Sequence, residues 1–298
     1  MRSLSPYVKD VALGACIVLA PFIIPLFKVS TDIATLVTAT SAVFAIVAGF
    51  FIADAMSNYL RLQTLISEEN AALIALADNA QKIDAENAPE VHQAIDDYMI
   101  AQLNSHTLNH ILQTDPQIDT LDAAINRLKV GPEDSETYDH LLHMREKILS
   151  ARQEILFAAK KNLTLGHWIT LIMLGTLVAF TVIAIRDGSV FMNAVASAMM
   201  VGMQAILILL RDMDNNRLLE MKLGYDNPRE VFHALGKSPY YPYFSPLKAR
   251  VPGRDGTYRL GKEHEDQKPR YEIVDTSKGG MQRVDATQYR ESRSSSRA

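Results

Sequence analysis

Cysteine and tryptophan occur once each in 298 residues, as Cys16 and Trp168. A single cysteine excludes an internal disulfide and leaves the redox compartment open. Also missing are a glycine-rich phosphate loop, a serine-centred elbow, a Cys–His combination and a framed pair of catalytic carboxylates, the usual carriers of nucleotide and nucleophilic chemistry. Two histidine pairs have helical spacing, His106 with His110 and His140 with His143, but neither has a Cys or Glu-rich partner motif. They read as ordinary helix residues rather than metal ligands. The expectation is a non-enzyme without metal or cofactor. Lys and Arg total 30 against 34 Asp and Glu, so there is no basic excess, and no nucleic-acid partner is expected.

Charge is absent locally from four long stretches, and this sets the class. The mean hydropathy of +0.00 averages two different solvents. The first stretch, Val11 to Phe27, is bracketed by Lys9, Asp10 and Lys28, and at 1.5 Å per residue it spans about 26 Å. Its Pro21 and Pro25 each remove a backbone donor, which frees carbonyls that neighbouring helices or water must satisfy. Ile33 to Ala53 and Val190 to Leu210 carry no charge, and Leu163 to Ile185 is interrupted only by His167 and threonines. Four transmembrane helices are expected. The breaks Lys28 to Asp32 and Arg186 to Ser189 are so short that each pair forms an antiparallel hairpin. A second apolar run follows the first closely, without a small-residue cleavage site before the break, so the first reads as a retained helix rather than a signal peptide.

Orientation follows from the basic residues near the helix ends. The short loops hold Lys28 and Arg186, whereas the opposite side holds Arg2, Lys9, Arg61, Arg152, Lys160, Lys161, Arg211, Arg217, Lys222 and Arg229. This bias places both termini in the cytoplasm and fits a bacterial inner membrane, with the lipid bilayer as the first partner.

The region between the hairpins reads as helical. Leu62, Leu65, Ile66, Leu73, Leu76 and Ile83 follow amphipathic spacing, and no turn separates them from the second apolar run, which predicts one helix from about Ile33 to about Asp84. Pro89, Pro116 after the cap candidate Asp115, and Pro132 after Gly131 mark three further helix starts. The last carries Leu141, Leu142, Ile148, Ile155 and Leu156 and is expected to continue unbroken into the third membrane helix. The predicted architecture is all-α: a first transmembrane hairpin over 1–56, a cytoplasmic helical bundle over 57–162, a second transmembrane hairpin over 163–212 and a cytoplasmic tail over 213–298. After about 236 the tail turns to Pro, Gly, Ser, Arg and Tyr and reads as largely disordered. From Asp54 to Leu163 there are 18 acidic and 9 basic residues, either a solvated surface or a vestibule attractive to cations. The Tyr-Pro cluster beginning at Ser238 reads as a candidate docking segment for a partner or for the protein's own membrane domain.

On the fourth membrane helix Asn193, Ser197, Met200, Gln204 and Arg211 repeat near one azimuth. Polar groups inside a bilayer need partners or water, so the stripe is read either as interhelical hydrogen bonding or as a pore lining by Asn193, Ser197, Met200 and Gln204. Ala194, Ala198 and Gly202 form a ridge of small residues beside it, and Thr35, Thr38, Ala42, Ala45, Gly49 and Ala53 form another on the second helix. Both suit packing between helices or subunits. At the cytoplasmic ends, Asp54, Asn58 and Arg61 on one helix and Arg211, Asp212 and Asp214 on another read as an interfacial collar. A calcium loop starting at Asp212 is disfavoured by Arg217 and Leu223 at the glycine and glutamate positions.

The residues from about Val43 to Arg217 resemble the bacterial bestrophin-like membrane family, a domain of unknown function. The resemblance rests on Gly49-Phe50, Asn58, Tyr59, Arg61, the Glu68-Glu69 pair, Tyr98, Leu149-Ser150-Ala151-Arg152, Trp168 and the closing Leu210-Arg211-Asp212-Met213-Asp214. The chain departs from the family pattern at Leu163-Thr164-Leu165-Gly166, where the family has a proline before the tryptophan, and at Asn215-Asn216-Arg217, where it has Arg-Pro-Phe. Bestrophins proper are oligomeric anion channels with a calcium clasp, and the acidic run of such a clasp is reduced here to Asp212 and Asp214. The resemblance implies a homo-oligomeric channel for inorganic ions. The alternative is a membrane-anchored interaction protein whose bundle and tail recruit partners.

Overall fold

The computed structural model describes residues 6–26, 33–104, 114–160, 163–215, 227–242, 257–261, 271–275 and 282–285. Their elements are α1 (Pro6–Ile23), α2 (Ile33–Ile83), α3 (Ala88–Asn104), α4 (Asp115–Ile125), a 3-10 turn (Pro132–Asp134), α5 (Ser135–Ala158), α6 (Leu165–Ala184), α7 (Val190–Asp214), α8 (Asn227–Ala234), β1 (Tyr240–Tyr241), β2 (Thr257–Gly261), β3 (Tyr271–Asp275) and β4 (Gln282–Asp285). Two compact units result: Met1–Leu60 with Lys161–Leu218, and Arg61–Lys160 with Leu219–Ala298.

Among the described residues, α2, whose first part lies in the first unit, and α6 and α7 are the helices long and apolar enough to cross a membrane. The 18-residue α1 is not among them; it starts earlier than the apolar run, at Pro6, and stops before Pro25. Phe44, Ala48 and Ala55 of α2 pack with Leu171, Val178 and Val182 of α6 and with Ala196, Leu210 and Met213 of α7. Gly175 allows this approach, since a Cβ there would meet Met203 Sδ at 3.3 Å and Phe44 Cε2 at 3.6 Å. The loop before α7 turns at Gly188, with φ +86°, where a Cβ would meet Leu26 Cδ1 at 2.8 Å. Ser189 then caps α7, its Oγ accepting from Met192 N at 3.2 Å, as orphan N–H groups at a helix start require.

The second unit is organised around the far half of α2. Leu73, Leu76 and Ala80 pack with Val91, Ile95 and Met99 of α3, Leu121 and Ile125 of α4, Leu141 and Ile148 of α5, and Val231 and Phe232 of α8. Asp84 closes the α2–α3 turn. Its carboxylate accepts from Asn87 Nδ2 at 2.6 Å and from the backbone N–H of Glu86, Asn87 and Lys129, and these donors pull its pKa down to about 2.

The unbroken helix expected from Ile33 to Asp84 is present as the 51-residue α2. Three expectations change. The helix expected to enter the third membrane segment without a break ends instead at Ala158, and α6 starts afresh at Leu165 behind Thr164, whose backbone N–H donates to His167 Nδ1 at 3.2 Å. The cap of α4 is Thr114, while Asp115 occupies the first helical turn. Among the described residues the tail adds strands to the helices: a sheet of order β1-β2-β3-β4, with β1 parallel to β2 and the remaining pairs antiparallel. Tyr240 is 3% exposed and its hydroxyl donates to Asn104 Oδ1 at 2.7 Å.

Candidate functional site

The polar stripe of α7 faces α1. Ser197 Oγ donates to the Val18 carbonyl at 2.9 Å and Gln204 Nε2 to the Asp10 carbonyl at 3.1 Å, with Met200 buried in the same stripe. Arg211 forms a bidentate pair with the Asp10 carboxylate at 2.9 and 2.7 Å. Asn193 Oδ1 accepts from Arg186 Nη1 at 3.4 Å. Arg186 also donates to the carbonyls of Pro21 and Ile24. Pro25 has no N–H with which to bond the Pro21 carbonyl one turn back, so the guanidinium supplies the missing donor. A basic residue that serves the charge count of the sequence therefore also serves as the cap of α1.

The collar residues have different partners. Asp214 Oδ1 accepts from Leu163 N at 3.0 Å and Oδ2 from Trp168 Nε1 at 3.3 Å, which pins the start of α6 to the end of α7. Asp212 accepts from Arg211 at 3.3 Å. Arg61 pairs with Glu154 at 3.1 Å on a half-exposed surface, an arrangement that contributes little stability. Asp54 is exposed and Asn58 half-buried. His140 and His143 are exposed, and no cluster of potential metal ligands occurs among the described residues; His106 and His110 lie outside them.

In the second unit, three residues that carry the sequence resemblance converge in the core. Glu69 of α2 is 0% exposed; its Oε1 accepts from the Tyr98 hydroxyl and its Oε2 from Gln102 Nε2 at 3.1 Å. Arg152 of α5 lies over the Tyr98 ring, 5.4 Å from its centroid, and donates to Thr114 Oγ1 at 2.9 Å and Asp115 Oδ1 at 2.7 Å. Burial pushes the Glu69 carboxyl above the usual carboxylate range, against the pull of Tyr98, Gln102 and Arg152. Burial and the neighbouring Glu69 raise Tyr98 well above the ordinary phenol. The clue in the sequence is positional: Glu69 and Arg152 stand in the apolar stripes of their helices, between Ile66 and Leu73 and between Ile148 and Ile155.

A second buried ionic cluster has no counterpart in the reading of the sequence. Asp96 of α3 accepts from Arg259 of β2 at 2.8 and 2.7 Å and from Lys237 at 2.9 Å. Arg259 also lies 4.9 Å from the Phe232 ring centroid. The two charged partners are far apart in the chain, and no local pattern marks either one.

A family model described as Bestrophin-like domain matches residues 13–215. Comparisons with curated proteins and with solved structures gave no match. The matched span covers the Glu69, Tyr98 and Arg152 cluster and the Asp214–Trp168 pin, and stops before the Arg259 clasp.

Proposed function

Since the chain belongs to the bestrophin-like family, we propose that it is a homo-oligomeric ion channel of a bacterial inner membrane. In this reading α1 is a fourth span beside α2, α6 and α7, and the helical bundle and both termini lie in the cytoplasm. The observation that carries the reading is the surface left over by one subunit. Only 11% of the most apolar window of α2 is buried, against 28% for α6 and α7. Both small-residue ridges are exposed, and Gly49 and Gly202 have no neighbour within 4 Å of an added Cβ. Small residues let helices approach closely, so these ridges suit contact with further copies. With the Ser197 and Gln204 stripe committed to α1, the pore wall is assigned to α2.

The test uses the purified full chain in liposomes, with potassium and chloride gradients, beside its mass in detergent. Single cysteines at Ala42, Val43, Ala45, Ile46, Gly49 and Phe50, in a Cys16→Ala background, are then treated with a charged thiol reagent. Selective flux, an oligomer, and block confined to one face of α2 are expected. A monomer without flux under any gradient would overturn the proposal.

A further inference from the structure

Glu69 is a carboxyl in the bundle core with no cation hydrogen-bonded to it among the described residues. Its two oxygens accept from Tyr98 and Gln102, both on α3. The positive charge facing it from α5 is Arg152, whose guanidinium donates to Thr114 and Asp115. Asp115 of α4, 66% exposed in its side chain, already balances that charge. The next residue, Asn70, is 6% exposed, and neither of its amide atoms has a hydrogen-bond partner among the described residues.

We propose that the Glu69–Tyr98 pair is a proton-binding site of the cytoplasmic unit, whose occupancy sets how tightly α3 is held on α2. Uptake of one proton from water converts the carboxylate to the acid, and its return to water reverses the step. Ionised, Glu69 accepts two charge-assisted bonds from α3, which are stronger than neutral ones but require a buried charge. Protonated, it loses the charge and its bonds to Tyr98 and Gln102 become neutral ones. Burial already favours the protonated form. The helix that carries Glu69 is the same unbroken α2 that carries the apolar segment.

Infrared difference spectra of the full chain against Glu69→Gln, from about pH 5 to about 8, read the site directly. A protonated-carboxyl band that fades as pH rises and is absent from Glu69→Gln is expected. Tyr98→Phe removes a donor to the ionised form, so the band should then persist to higher pH. Stability supplies a second readout. A carboxyl raised in the folded state from its ordinary 4.5 costs stability as pH climbs above that value, and Glu69→Gln should flatten this slope. No band at any pH from folded protein, or a band unmoved in Tyr98→Phe, would overturn the proposal. Neither readout uses conduction, so failure of the channel reading would leave the result intact.

Discussion

Along α2, the segment before Leu60 leaves Ile46 and Phe50 72% and 69% exposed, whereas beyond it Leu62, Leu73 and Leu76 are fully buried. The two halves share one backbone and one period, but their surroundings differ. In the bundle, water makes every exposed apolar side chain costly, so an apolar stripe must be covered by α3, α4 and α5. In the membrane half, lipid or another subunit can cover the side chains, so exposure in a single copy carries no penalty. Polar groups differ in degree. Thr40 in the membrane half bonds the Leu36 carbonyl of its own helix at 2.8 Å, with Thr181 Oγ1 of α6 at 3.4 Å. Glu69 in the bundle half needs donors from α3.

The comparison is sharpened most by a change in the bundle. Asp96→Ala leaves Arg259 and Lys237 facing a lost partner; with Asp96 and Arg259 only 3% and 5% exposed in their side chains, unfolding of this unit should become easier by about 3–5 kcal/mol. Hydrogen exchange at 257–261 should rise with it. Next, Leu73→Ala should cost about 2–5 kcal/mol by cavity formation, whereas Ile46→Ala in the same helix should leave unfolding of the bundle unchanged in denaturant titrations. An equal loss from both would break the distinction between the halves. The smallest effect concerns pH. Asp84, held down to about 2 from 3.8, contributes stability that is complete above its unfolded pKa and lost as pH falls toward about 2. Asp84→Asn should remove that acid-limb dependence in thermal melts and leave the rest of the profile in place.

Much of this was legible before the fold. The span of α2 follows from an apolar run that changes to amphipathic spacing without a breaker, and Pro89, Pro116 and Pro132 mark the starts of later helices because proline tolerates the first turn. The break before α6 was not legible, because Thr164 and His167 cap a helix only when the chain is already turning there. The Asp96–Arg259 pair was hidden for a stronger reason, since 163 residues separate its members. The stripe of Asn193, Ser197, Met200 and Gln204 was visible as a stripe, but its partner was not.

The sequence alone determined that this is a membrane protein with long apolar helices, because apolar run length and proline placement act locally along the chain. Tertiary structure decided which polar groups meet: Arg186 with the end of α1, Asp214 with Trp168, Glu69 with Tyr98, and Arg259 with Asp96. Periodicity fixes the face of a helix on which a side chain lies. The packing of distant segments decides what stands opposite that face.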